Sequence, residues 1–394
     1  MTSPALLIRE VRYVEPGRRI ATGDVLVRNG RIVATGTVLP EDCQDAQRVE
    51  GRGRLLTPGL IDVHTHGIGR SLYEGGADGL RSAVAELGRF GVTTVLPTVI
   101  PFDRPETFAL LHELTAALSS VTCVHVPGLH LEGPFMAVGG AACPTLPGNV
   151  ELLDRLLAAC PDRVAAMSVS PDTPGVVPVI RRLREKGIPV FLTHTRATAE
   201  QTEAALNAGA CHATHFYDVF YAPAETDPGV RPVGAVEAIL ADPRASVDFI
   251  ADGVHVHPTA IRAAVAAKGW AGVILITDSN IGAGLPAGVY PTPWGFAIRV
   301  SPETAARHET KHSLAGSALT MDRGIANLLR WLNLPPEQVW AMGTLNPARL
   351  LGLDRKGRLE PGADADLVLW DDTLTAQMTW VNGTLVYEKE ARLV

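Results

Sequence analysis

The sequence predicts an α/β protein: a (β/α)8 TIM-type barrel carrying a small β-sandwich domain assembled from both chain ends. Three observations carry this. Over residues 58–349, short β-rich apolar segments alternate with Ala-, Leu- and Arg-rich helical ones, about eight times. Near each end of the chain an Asn-Gly pair sits between alternating apolar residues, a strong hairpin signal. The polar residues able to do chemistry fall at the C-terminal ends of strand segments, where barrels build their active sites.

The elements follow in order. In GDVLVRNGRIVATG the apolar residues flank Asn29-Gly30. At the other end ADLVLWDD reads as a strand and TWVNGTLVYE as a second hairpin around Asn382-Gly383. Residues 1–57 and 350–394 are therefore assigned to one small β domain. The barrel strands are GLIDVHTHG, VTTVLPTV, VPGLHLEG, VAAMSVSP, IPVFLTHT, ACHATHFY, SVDFIAD and GVILITDS. Helices fall between them, among them GADGLRSAVAELGRFG, ELLDRLLAACP, VIRRLREKG, ATAEQTEAALNAG, VGAVEAILADP and PTAIRAAVAAKG. Several close on Gly or Pro, as helix ends should. The stretch Pro223–Gly234 reads as an ordered functional loop, not a linker.

Composition excludes several function classes. The chain has 394 residues, 46% hydrophobic and 20% charged, with net charge −7. These values fit a globular protein and exclude a disordered or collagen-like chain. A basic footprint for nucleic acid is absent. No apolar run reaches the ~18 residues that would span a bilayer. The opening MTSPALLIREVRYVEPG lacks a basic region followed by an apolar one, so a cytoplasmic location is expected. The five cysteines (Cys43, Cys123, Cys143, Cys160, Cys211) are scattered, odd in number and form no CxxC. Neither a disulfide framework nor a Cys-rich zinc site is expected.

The chemistry concentrates at strand ends. His64 and His66 close the first barrel strand, and a spacing of two puts both on one face. Alone, such a pair is as well explained by chance or packing. Glu132 ends VPGLHLE ahead of Gly-Pro; a carboxylate there needs a partner, in a metal site or in a salt bridge on the rim. His130 reads as a core or supporting histidine. His194 ends IPVFLTHT and His215 ends ACHATHFY, whereas His212 reads as structural. With Glu132 they place three N/O donors on successive strand ends, as an open catalytic metal site requires. Asp278 ends VILITDS, where it can ligate metal and move a proton, or cap a helix. Of Asp252, His255 and His257 in IADGVHVHP, one or two can face the pocket, and His257 reads as a surface residue. The ordered set predicts a hydrolytic metal centre with water as nucleophile. Related two-metal hydrolases often bridge their ions with a carbamylated lysine. No lysine lies between Lys186 and Lys268, so Glu132 is the available bridging group.

These residues lie in motifs that resemble the N-acetylglucosamine-6-phosphate deacetylases of the amidohydrolase superfamily almost end to end. The motifs are LLTPGLIDVHTHG, GVTTVLPT, GLHLEGPF, THTRAT, ATHFYDVF, IADGVHV, ILITDS, SLAGSALTMDRGIANL and TLNPARLLGLDRKGRLEPGADADLVLWD. HLEGPF and LAGSALTM are specific to this branch. The resemblance implies that Glu132, His194 and His215 hold the principal divalent metal and that His64 and His66 complete a second site, which some members lack. Asp278 would be general base and then acid, and would complete the metal ligands. His255 would contact substrate, with Asp218, Val219, Arg231 and Leu314 around it. Zinc is the foremost metal, one or two per subunit, with iron, cobalt and manganese as alternatives. The resemblance also implies a homodimer, with the loop after the His215 strand reaching toward the neighbouring subunit.

The sequence departs from the family on the substrate side. After HLEGPF it reads MAVGGAACPTLPG, without the histidine that contacts substrate in the family. Asp218 stands where the family has Asn. Thr226, between Glu225 and Asp227, stands where it often has a phosphate-binding arginine. Arg231 or Arg196 would have to substitute. The expectation is hydrolysis of an N-acyl, foremost N-acetyl, amide of a small molecule whose other end is neutral or cationic. A cyclic amide and a non-catalytic scaffold are the alternatives.

Overall fold

The computed structural model describes residues 5–140, 143–301 and 305–390. Its centre is a parallel sheet of eight strands in sequential order. They are Leu60–Thr65, Val92–Val99, Leu129–Glu132, Val164–Val169, Val190–Leu192, His212–Ala213, Ser246–Ile250 and Val273–Ile276. The eight segments named from the sequence are these eight strands. The first two are buried at every position, as strands covered on both faces must be. The barrel closes between the eighth and first strands. Asp278 N donates to His64 O at 2.9 Å, and Thr277 Oγ1 donates to Asp62 Oδ2 at 2.6 Å.

Helices cover the outside because their sequences carry one apolar stripe. In Val176–Glu185 the residues Val176, Val179, Ile180 and Leu183 are buried while Arg181, Arg184 and Glu185 face outward. Helix Ala199–Ala208 starts on a reciprocal Thr198–Gln201 capping box. The barrel interior is filled by Ile61, Val63, Leu96, Phe191, Ile250, Ile274 and Ile276.

Both termini contribute to a second sheet of eight strands. Its path runs Thr384–Glu388, Ala376–Val381, Leu367–Trp370, Leu55–Pro58, Leu6–Glu15, Arg19–Arg28, Arg31–Gly36, with Gln47–Glu50 also paired to Leu6–Glu15. It has its own core, including Ile8, Val25, Val27, Leu56, Leu367 and Trp380. The last strand of the path is tied to the segment that leads into Leu367–Trp370: Ile32 N donates to Ala363 O at 2.9 Å and Ala365 N to Gly30 O at 2.8 Å. Both Asn-Gly turns have positive φ at both residues (52° and 74°; 47° and 72°), the type I′ geometry their sequence calls for. Trp370 fastens this sheet to the barrel. Its indole lies against Gly91, where an added Cβ would fall 2.3 Å from the ring and φ is +75°.

One element lies outside the sequence reading. Between the eighth barrel strand and helix Met321–Trp331, four short strands form an antiparallel sheet: Gly288–Pro291, Ala297–Val300, Ala305–His308 and Leu314–Ser317. Runs of four residues broken by Pro and Gly give too little alternation to be read as strands.

Candidate metal centre

The C-terminal rim of the barrel gathers the strand-end residues into one cluster with Glu132 at its middle. Glu132 Oε1 lies 3.3 Å from His194 Nε2 and 3.2 Å from His215 Nε2. Its other oxygen lies 3.3 Å from His66 Nε2 and 3.7 Å from His64 Nε2. Asp278 Oδ1 faces the same two imidazoles at 3.4 and 3.5 Å. Among the described residues, three sets have ligand atoms within 4.8 Å of one another: His64–His66–Asp278, His64–Glu132–His215, and Glu132–Cys143–His194. Glu132 belongs to two of them.

The backbone is strained to aim these groups. His194, His215 and Asp278 have φ of 48°, 35° and 47°. Val219, β-branched, has φ of 54°. Such conformations cost of order 1–3 kcal/mol each and persist where the surroundings enforce them. The enforcing contacts are present. Thr195 N donates to Val219 O at 3.0 Å, and Ser317 N to Asp278 O at 3.0 Å. Ser170 Oγ donates to His194 O at 2.7 Å.

The hydrogen bonds behind the histidines test whether a cation fits. His215 Nδ1 lies 3.2 Å from the Asp218 carbonyl, which can only accept, so Nδ1 carries the proton. In the neutral ring Nε2 then presents a lone pair to Glu132. His64 Nδ1 contacts Thr214 Oγ1 at 2.7 Å, and its Nε2 is buried with no partner. Lone pairs of imidazole and carboxylate facing each other out of water require a positive charge between them. The donor set fits a divalent ion.

The same demand appears in the proton affinities. Burial opposes a charge on His215, yet Glu132 outweighs it and lifts the pKa to about 10. Burial also opposes a charge on His66, but hydrogen bonds to Asp278 and Glu132 raise it well above the usual value. Glu132 and Asp278 are held below the carboxylate range by the surrounding histidines, against the effect of burial. A proton here does the work a metal would do. His130, by contrast, is pushed well below the usual value by burial and by His64. It bonds Ser168 Oγ at 2.6 Å and Val63 O at 3.1 Å, a supporting role. His212 pairs with Asp248 at 2.8 Å inside the barrel, and His257 is an exposed helix cap.

A cavity of about 380 Å³ opens on the cluster. His255, Asp218, Val219 and Leu314 line it, as do His66, Glu132, His194, His215 and Asp278. His255 is held by Asp252 Oδ2 at 2.7 Å, and this pairing raises its pKa against the effect of burial. Arg231 is not brought to this cavity within one subunit. The Pro-rich loop carries it outward, where it is exposed and pairs with Glu237 in the first turn of the next helix. Arg196 lies with its guanidinium 4.5 Å above the Tyr221 ring. Sequence reasoning missed Glu74, Trp294, Phe296, Asn280 and Cys143 in the wall. Trp294 and Phe296 arrive on the antiparallel insertion, and Glu74 follows a short hairpin after the first strand. For Cys143 the signal was its place in the loop immediately following HLEGPF.

A cluster of this composition at the mouth of a (β/α)8 barrel defines a metal-dependent hydrolase. The amidohydrolase family pattern matches residues 55–386. The N-acetylglucosamine-6-phosphate deacetylase of Vibrio furnissii is 34% identical over 364 residues, covering 90% of this chain and 89% of that protein. The N-acetylgalactosamine-6-phosphate deacetylase of Escherichia coli O157:H7 is 31% identical over 382 residues, covering 95% and 99%. The crystal structure of N-acetyl-D-glucosamine-6-phosphate deacetylase from Mycobacterium smegmatis superposes with a TM-score of 0.86 at 28% identity, covering 97% of this chain and 100% of that one. The chain belongs to the amidohydrolase family, in the branch of these deacetylases. It is a metal-dependent hydrolase of carbon–nitrogen bonds.

Proposed function

We propose that the protein removes an acetyl group from the nitrogen of a small N-acetylated amine of the amino-sugar class. The observation that carries this is Glu132 at the hub of four imidazoles beneath a cavity sized for a small molecule. Glu132, His194 and His215 would hold the principal ion, and His64 and His66 a second, which Asp278 would join. A divalent ion held there, zinc foremost, would supply Lewis acidity for the amide carbonyl and for the attacking water. Asp278 takes the proton of that water on its carboxylate and delivers it to the departing nitrogen. His255, held by Asp252, hydrogen-bonds the substrate from the cavity wall. The subunits pair as homodimers, as the resemblance implies.

One observation favours an unphosphorylated substrate. Among the described residues lining the cavity are Glu74, Asp218, Trp294 and Phe296, and no Lys or Arg. A phosphate buried against carboxylates is repelled, whereas a sugar ring or an ammonium is well served by aromatic and acidic walls. The deciding assay compares kcat/KM of zinc-loaded protein on N-acetylglucosamine 6-phosphate and on N-acetylglucosamine, following acetate release. Faster turnover of the unphosphorylated sugar supports this reading. A strong preference for the phosphate ester overturns it and assigns the missing cation to the Arg231 loop of a neighbouring subunit. No acetate from either overturns the amino-sugar class.

A further inference from the structure

The loop after the third barrel strand is built to bring a cysteine onto the metal cluster. Cys143 Sγ lies within 4.8 Å of ligand atoms of both Glu132 and His194, which are themselves 3.3 Å apart. The loop is fastened on both sides of this residue. Val138 N donates to His194 O at 3.1 Å, Leu146 N to Pro134 O at 3.0 Å, and Gly148 N to Pro174 O at 2.8 Å. Its backbone packs against the ligand ring itself, since a Cβ on Gly140 would lie 2.4 Å from His194 Cε1. The chain therefore needs glycine there in order to approach.

The remaining cysteines have other surroundings. Cys43 and Cys160 are buried, each packed in a hydrophobic cluster. Cys123 and Cys211 point their thiols at backbone carbonyls, those of Val84 and Val190. Cys143 alone of the five lines the cavity. A second observation marks the cluster that Cys143 joins as short of a cation: the buried Nε2 of His64, aimed at Glu132 and Asp278, has no hydrogen-bond partner, and neither has Nδ1 of His194, whose ring the loop packs against.

We propose that Cys143 is a further ligand of the metal held by Glu132 and His194. This rests on the reading of the cluster as a divalent-ion site. On ligation the S–H bond breaks, a sulfur–metal bond forms, and the proton leaves to solvent. A thiolate beside imidazoles favours zinc or cobalt over manganese.

The test is cobalt substitution of the whole protein. Chelator-stripped protein is loaded with cobalt(II), its metal content is measured, and the near-ultraviolet spectrum is recorded. The expected result is a thiolate-to-cobalt charge-transfer band in the natural protein, lost in Cys143→Ser and Cys143→Ala while cobalt stays bound. Cobalt bound without the band, or a band that survives both substitutions, overturns the assignment and leaves the hydrolase reading intact. No cobalt bound at all overturns both. Should the variants not fold, alkylation of the natural protein decides: cobalt should protect Cys143, identified by peptide mass, and equal labelling with and without cobalt refutes the proposal.

Discussion

Replacing Asp278 by asparagine separates proton transfer from folding. The residue has φ of 47°, its N–H donates to His64 O at 2.9 Å, and its carbonyl accepts from Ser317 N at 3.0 Å. Asparagine tolerates the left-handed region nearly as well as aspartate, so these backbone bonds survive. Alanine does not, and Asp278→Ala should cost a further ~1–2 kcal/mol of stability. The chemical loss in Asp278→Asn is that of a positioned acid–base group. Its Oδ1 is fixed 3.4–3.5 Å from two imidazoles, and an amide cannot accept the water proton. The expected fall in kcat is ~10²–10⁴-fold, equivalent to about 3–5 kcal/mol in the barrier. Steady-state kinetics with metal analysis and urea unfolding of both variants is the assay. Asp278→Asn should retain metal at the Glu132–His194–His215 set and unfold like the natural protein. A kcat within tenfold of the natural value refutes Asp278 as the proton carrier. An unfolding midpoint as low as that of Asp278→Ala refutes the backbone argument.

Three further outcomes are expected. Lys356 is buried with its ammonium 2.6 Å from Asp366 and 3.3 Å from Asp364. Lys356→Met strands these carboxylates and should destabilise by ~3–5 kcal/mol in urea unfolding, with part of the loss restored by adding Asp366→Leu. His125 is held to about 4, below its usual 6.5, by burial and then by Lys356. Between those values the unfolded chain binds the extra proton and the folded one does not, so stability falls as pH drops from 6.5 toward 4. Allowing for solvent screening the loss is ~2 kcal/mol. A His125→Asn variant should lack that slope, and an unchanged slope would show that another group titrates. Gly140→Ala drives a Cβ toward His194 Cε1 and should weaken zinc binding ~10–100-fold in competition with a chelator, with little change in folding. Unaltered affinity would mean that the loop yields instead of the ring.

Much of the site was legible because barrel topology turns sequence order into spatial order. Each strand delivers the residue at its end to one rim, so HxH, Glu, His, His and Asp on rising strand numbers converge without any knowledge of angles. The two Asn-Gly turns were legible for a similar reason, since their left-handed residues are a local requirement. Arg231 lies outside the cavity of its own chain because proximity in sequence to His215 says nothing about which way a Pro-rich loop leaves the barrel, and Glu237 pairs with the side chain there. Trp294, Phe296 and Glu74 went unread because they reach the cavity on short irregular segments without a strong period.

The sequence by itself determined the fold class, the pairing of strands from both chain ends in one sheet, and which residues gather in the candidate metal centre. These follow from periodicity, turn chemistry and the order of strand ends, which are local or topological properties. Tertiary structure alone decided that Glu132 stands between two groups of imidazoles, that the described cavity wall is acidic and aromatic, and that Cys143 faces the cluster. Those facts depend on distances between residues far apart in the chain. Only the packing of loops on a closed barrel sets such distances.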